Sequence, residues 1–254
     1  MNLPLNYNKL SLWSTRDDSP VSVNCYIEKI LKKNNVRTVL DFACGTGAQV
    51  FWLTKNGFEV TGVDISPGML RSAKKIAQKE GVRTKLLSGD MRTTKIGTFD
   101  AIIAIFNAVG HLTKKGFEKA MRNASSNLSE GGLYLFDIFN LDCKKNDVMT
   151  MDETRNFDGT EIRKIQICEL NRKSGILLCN DEFLVQKGLA KPKKYKGKFS
   201  LQIYSAKELK EMLNRNGFEV LGQYGIDESK FSDKKTARIM TIAKKNNAKQ
   251  LSTS

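Results

Sequence analysis

The chain has 254 residues, with 42 Lys plus Arg against 27 Asp plus Glu and a net charge of +15. At 40% hydrophobic residues and a mean hydropathy of −0.38 it reads as globular, and no apolar run approaches the ~20 residues that a membrane helix needs. The length suits one α/β domain with a sizeable insertion, while five scattered cysteines (Cys25, Cys44, Cys143, Cys168 and Cys179) without a Cys-x-x-Cys point to reduced thiols and against a disulfide framework or a zinc site.

The charge raises the question of a nucleic-acid or acidic-membrane partner. Lysines are spread over most predicted helices, however, and only Lys191–Lys198 is a dense run. Solubility is the first reading of the charge, and a solvated loop the first reading of that run.

Residues 1–35 are read as an N-terminal lid and helix. Tyr7, Trp13 and Arg16 are candidates for the lid, since aromatics attract a cationic ligand. Val23, Ile27, Ile30 and Leu31 give Val21–Lys33 a helical face. Met1–Asn8 lacks a charged start followed by an apolar core, so no signal peptide and a cytoplasmic location are expected.

Residues 36–139 alternate strands with helices. Val36–Phe42 reads as a buried parallel strand, Gly45 and Gly47 as a tight turn, and Gln49–Lys55 as a short helix stopped at Asn56-Gly57. Phe58–Asp64 is a second strand. Ser66 is a natural N-cap with Pro67 at the first helical position. Val82–Leu87 and Phe99–Phe106 are the third and fourth strands, Lys114–Leu128 is a helix stopped by Gly131-Gly132, and Leu133–Phe139 is the fifth strand. Repeated crossovers of this kind give a parallel sheet with its ligand site at the C-terminal strand ends. Asp41, Asp64, Asp90 and Phe106-Asn107 all fall there.

Residues 140–200 change character. Short strand-like runs at Thr154–Phe157, Glu161–Leu170 and Ile176–Gln186 are separated by turn signals at Asp158-Gly159 and Ser174-Gly175, which read as antiparallel hairpins. Residues 201–247 resume the α/β pattern, with a capping box at Ser205–Glu208 and strands at Phe218–Tyr224 and Ala237–Ala243. Residues 248–254 are expected to be a disordered tail.

Strand, glycine turn and helix present backbone N–H groups to a nucleotide-like ligand. Val50 occupies the third-glycine position, which weakens an NAD reading. Asp41 is placed to orient the loop or to meet an ammonium group. Asp64, 23 residues further on, is at the spacing of a carboxylate that accepts both ribose hydroxyls. Asp90 is placed to accept from an adenine amino group.

Taken together, Val39–Gly47, Val63–Leu70, Gly89–Arg92 and Phe99–Leu112 resemble the class I S-adenosylmethionine-dependent methyltransferases. The Ala-Cys-Gly-Thr-Gly turn, Phe106–Leu112 and the hairpin insertion resemble their small-molecule branch, which includes glycine/sarcosine and amino-sugar N-methyltransferases. The resemblance implies a doubly wound, mostly parallel seven-stranded sheet of Rossmann-like type with an antiparallel last strand, interrupted by the β insertion after the fifth strand. It implies S-adenosyl-L-methionine as cofactor and no metal. Asp64 then holds the ribose with Ile65 beside it, Asp90 and Met91 read adenine, Ala43 and Gly45 border the methionine part, and Phe106 follows; Asp41 and Gly47 are counted with these cofactor-binding residues, Gly47 with Gly45 bringing backbone against the ligand. Ala43 departs from the glycine common in the family.

His111, the chain's only histidine, lies where the acceptor is expected, as a general base or orienting group or as a structural helix-start residue. Asn107 either contacts the acceptor or turns the chain. The expected reaction is methyl transfer to a small molecule, first of all to an amine nitrogen, by a monomer or homodimer. A nucleic-acid methyltransferase is disfavoured, because Asn107-Ala108-Val109-Gly110 stands where base methylation uses an Asn/Asp-Pro-Pro-Tyr. A non-catalytic cofactor-binding protein is the third alternative.

Overall fold

A computed structural model describes residues 20–157 and 159–247; Tyr7, Trp13, Arg16 and the expected tail lie outside them. Helix α1 (Pro20–Lys33) leads into β1 (Thr38–Phe42), α2 (Ala48–Lys55), β2 (Glu59–Asp64), α3 (Pro67–Glu80), β3 (Lys85–Ser88) and β4 (Phe99–Ala104). A 3₁₀ turn (Ala108–His111) precedes α4 (Lys114–Ser126) and β5 (Leu128–Phe139). Four long strands follow, β6 (Val148–Phe157), β7 (Thr160–Asn171), β8 (Ile176–Lys187) and β9 (Lys193–Gln202). The chain closes with α5 (Ala206–Arg215), β10 (Phe218–Gly225) and β11 (Arg238–Lys245).

The main sheet has seven strands in the order β10-β11-β5-β4-β1-β2-β3. β11 runs antiparallel to both β5 and β10, and the remaining pairs are parallel. Period-two alternation sends Val39, Val60, Ile103 and Leu135 to the face covered by α1, α2 and α3, whereas Leu40, Val63, Ile102 and Phe136 face α4 and α5. On the second face Phe117 is fully buried and meets the Phe136 ring edge-on at 5.2 Å. Helix starts follow the sequence signals: Ser66, Thr113 and Ser205 each accept a hydrogen bond from the backbone N–H three residues on.

Three expectations are corrected. Gly131-Gly132 does not stop a helix. α4 ends at Asn127, whose side chain donates to Thr94 and Asn123 carbonyls and accepts from Ile96 N–H, and the two glycines form an irregularity inside β5, where the register shifts against β4. The run Lys191–Lys198 is not a loop. From Lys193 onward it is edge strand β9, in which Tyr195, Gly197 and Phe199 alternate with the more exposed Lys194, Lys196 and Lys198; lysines on an edge discourage further strand pairing. Finally, Cys168 and Cys179 are bonded to each other rather than reduced, because β7 and β8 set them directly opposite one another with Cα atoms 4.1 Å apart. Cys25, Cys44 and Cys143 are free.

The second sheet, β6-β7-β8-β9, is antiparallel throughout. It leaves the main sheet after Phe139 and returns at Tyr204, where Leu141 N–H donates to the Tyr204 carbonyl. Phe117→Ala is expected to lower the unfolding free energy by about 3–5 kcal/mol, read from urea denaturation against wild type.

Candidate active site

A cleft of about 1940 Å³ lies between the C-terminal ends of β1–β5 and the inner face of the second sheet. Drug-sized ligands occupy roughly 300–1,000 Å³, so the cleft has room for two molecules.

The loop after β1 sets one wall. Ala43 and Gly45 both adopt the left-handed region, with φ of 64° and 55°, and both line the cleft. A Cβ on Gly45 would meet nothing within 4 Å, so the space beside its backbone is open. Gly47 has a different reason for being glycine: with φ of 90°, a Cβ there would strike the Phe51 ring at 2.5 Å. Gly47 therefore shapes the loop and does not reach the cleft wall.

Asp64, at the end of β2, is buried and lines the cleft. One carboxylate oxygen accepts from Gly45 N–H at 2.8 Å and the other from Ser66 N–H at 2.7 Å. A carboxylate has about four acceptor positions, so each oxygen keeps one for a ligand. Ile65 beside it is 66% exposed, an apolar surface turned into the same cleft.

Asp90 also lines the cleft, but Arg92 uses its acceptor positions. The Arg92 backbone N–H and Nε donate to Oδ1, and Nε and Nη2 donate to Oδ2, at 2.5–2.9 Å. That hydrogen bonding holds the Asp90 carboxyl below its usual range. Met91 lies next to it in the cleft wall, its carbonyl accepting from the Asn123 amide at 2.9 Å.

Asp41 is buried beneath the loop and does not line the cleft. Burial, and secondarily the nearby Asp64 charge, push its carboxyl well above the usual range, and Oδ2 has no hydrogen-bond partner among the described residues. The same burial, with both carboxylates, pushes the Cys44 thiol far up, so it is not a nucleophile.

The strand-end signal missed the group that fixes the chain at the end of β4. Asp137 on β5 is fully buried and accepts from the backbone N–H groups of Phe106 at 2.5 Å and Asn107 at 3.1 Å. Arg238, the first residue of β11, closes the arrangement, with Nε 3.0 Å from Asp137 Oδ2 and Nη2 bonded to the same oxygen. Its guanidinium lies 5.4 Å from the Phe106 ring centre and 5.6 Å from that of Phe139. Held this way, Phe106 and Asn107 take consecutive left-handed conformations, φ 61° and 59°, and the chain leaves β4 earlier than its apolar run suggests. Asn107 is buried, and its Oδ1 accepts from Phe139 N–H, which makes it a turn residue. A carboxylate inside the apolar run Leu135-Phe136-Asp137-Ile138 was the available signal.

His111 ends the 3₁₀ turn in the cleft wall, its ring 6.4 Å from that of Phe199 on β9. The ring is accessible to solvent within the cleft, while the surrounding walls lower its pKa from the ordinary 6.5. Among the described residues no cluster of His, Cys, Asp and Glu gathers for a metal ion.

Residues 39–132 match the family model of a methyltransferase domain. The fold is the class I methyltransferase fold. A Clostridium acetobutylicum S-adenosylmethionine-dependent methyltransferase superposes with a TM-score of 0.83 at 21% identity, over 95% of this chain and 99% of that one. An S-adenosylmethionine-bound amino pentose methyltransferase from Micromonospora echinaspora, involved in calicheamicin biosynthesis, gives 0.78 at 20% identity, over 97% and 99%. By sequence, rabbit (Oryctolagus cuniculus) glycine N-methyltransferase is 34% identical over 130 residues, 44% of each chain. The chain spans about half the length of the curated relatives it matches. The stretch that matches the domain model thus contains Ala43, Gly45, Asp64, Ile65, Asp90, Met91, Phe106 and His111, and ends before Asp137 and Arg238.

A raised carboxyl pKa contributes stability that is complete below the unfolded pKa and is lost progressively as pH rises to the folded pKa. Asp41→Asn, a neutral isostere, is accordingly expected to equal or exceed wild type in melting temperature at pH 7, with its relative advantage growing as pH rises above about 4 in thermal scans.

Proposed function

We propose that this protein is an S-adenosylmethionine-dependent methyltransferase that moves a methyl group to an amine nitrogen of a small molecule by in-line displacement. The observation that carries the reading is the pairing of Asp64, with spare acceptor positions, and the open space beside Gly45 on one cleft wall. The residues fit the cofactor: a carboxylate for two ribose hydroxyls, a side-chain-free backbone for close approach, and the apolar Ile65 and Met91 for a flat base. In this reading Ala43 and Gly45 border the methionine part, and Phe106 follows it. Asp41 and Gly47 support the loop from beneath. Asp90 joins adenine recognition when Arg92 releases one of its oxygens.

When bound, the cofactor supplies an activated methyl on a sulfonium. The chain's own work is positioning and exclusion of water. Asp137 and Arg238 fix Phe106 and Asn107 at the junction between the cofactor side and the acceptor side. His111 faces the acceptor side, and its lowered pKa makes it neutral at pH 7, the form that takes a proton from an ammonium acceptor. Amine acceptors are supported by the names of the similar proteins, glycine and amino pentose methyltransferases. A small-molecule acceptor, a cytoplasmic location and a monomer or homodimer complete the proposal.

Calorimetry with S-adenosylmethionine and a metabolite screen with methyl-labelled cofactor test the reading; a protein that neither binds the cofactor nor labels any amine sinks it. Asp64→Ala is expected to weaken cofactor binding about 10–100-fold, the loss of hydrogen bonds to a charged group worth ~1.5–3 kcal/mol. For His111, kcat/KM of wild type is expected to fall as pH drops through a pKa below 6.5, where the imidazole becomes charged. His111→Asn should lose that acid limb together with about 10²-fold or more of the rate; an unchanged profile assigns His111 a structural role.

A further inference from the structure

The second wall of the cleft is not used by the cofactor reading. On the inner face of the β6–β9 sheet, one cross-strand row contains Gln166, Asp181 and Gly197, and the next contains Lys164, Phe183 and Tyr195. Asp181 and Lys164 are nearly buried, with side chains 10% and 13% exposed. Gln166 Nε2 donates to Asp181 Oδ1 at 2.7 Å, while Lys164 Nζ stays 3.6 Å from Oδ2, too long for a strong hydrogen bond. Oδ2 therefore keeps acceptor capacity on a face where polar groups are costly unless satisfied.

Gly197 stands directly across from Asp181. Its φ is not in the left-handed region, and a Cβ there would make only an ordinary 3.7 Å contact with Asp181 Cβ. Neither backbone nor packing calls for glycine, and glycine weakens a strand. What it does is keep the space over Asp181 open. Glu153 and Arg155, paired at 3.2 Å, complete the polar patch. Two cations and two carboxylates leave it without net charge, so it offers donors and acceptors together and no preference for an anionic group. Phe183 and Tyr195 supply apolar faces beside it.

We infer that this row is a hydroxyl-binding subsite and that the methyl acceptor is a polyhydroxylated amine, an amino sugar in chemical class, rather than a compact amino acid. The inference rests on the methyltransferase reading. It accounts for a cleft of about 1940 Å³, most of which an acceptor the size of glycine leaves to water. Asp181 accepts from a ring hydroxyl, Gln166 and Lys164 donate to its neighbours, and the amine points toward Phe106 and His111.

The test is calorimetry on protein saturated with S-adenosylhomocysteine, titrated with 3-amino-3-deoxyglucose and with glycine. The expected result is binding of the amino sugar at least 10-fold tighter than glycine. Gly197→Val, which suits a strand, should weaken the sugar at least 10-fold while leaving S-adenosylhomocysteine affinity and melting temperature unchanged, and Asp181→Asn should weaken it as well. Glycine binding as tightly as the sugar, no binding of either, or sugar binding indifferent to both substitutions overturns the subsite. A wild type that does not bind S-adenosylhomocysteine overturns the cofactor reading and the subsite with it.

Discussion

One buried ion pair organises the cleft. Asp137 sits in the middle of the main sheet with no exposed surface, and an isolated carboxylate there would be very costly. Arg238 supplies the counter-charge, and the backbone N–H groups of Phe106 and Asn107 supply the remaining hydrogen bonds. Burial still outweighs these partners and leaves the Asp137 carboxyl above its usual range. The pair is therefore poor as a source of stability and good as a fixture. It forces two consecutive left-handed residues at the end of β4, turns the chain toward His111, and stacks a guanidinium against the Phe106 and Phe139 rings.

The two walls of the cleft are built by different means. The wall proposed for the cofactor is made of loops at the ends of parallel strands, where backbone N–H groups and strand-end carboxylates converge because the crossovers all have one hand. The wall proposed for the acceptor is one face of an antiparallel sheet, whose side chains come in cross-strand rows. The first design fixes a few positions and repeats over a family of folds. The second offers a grid of positions, each replaceable without disturbing its backbone, and Phe199 is where that grid approaches His111 at the end of the 3₁₀ turn after β4.

Much of the first wall was legible in the sequence. Asp64 and Gly45 were placed by strand periodicity and turn residues, Ile65 and Met91 by the family resemblance, and the structure puts all four in one cleft. Asp41 and Gly47 were read as cofactor-binding, and the structure leaves both out of the cleft lining; no local pattern distinguishes a glycine needed for a ligand from one needed to clear the Phe51 ring. The bond between Cys168 and Cys179 depends on the register of β7 against β8, which cysteine spacing does not encode. β9 was hidden by its composition: an edge strand that alternates lysine with Tyr195, Gly197 and Phe199 looks like a basic loop. Arg238 and Asp137 are 101 residues apart, and nothing short of the sheet order pairs them.

That separation also bears on how the chain matures during synthesis. β1 to β4 and their helices are local βα units, each able to form soon after it emerges, whereas β11 inserts between β10 and β5 only when the last of the described strands is made. Until residue 238 is available, Asp137 is a carboxylate without its cation and β5 is an open sheet edge. The loop after β1 can thus be in place on a nascent chain while the turn at Phe106-Asn107 is not, and the last of the described strands acts as the step that completes the cleft.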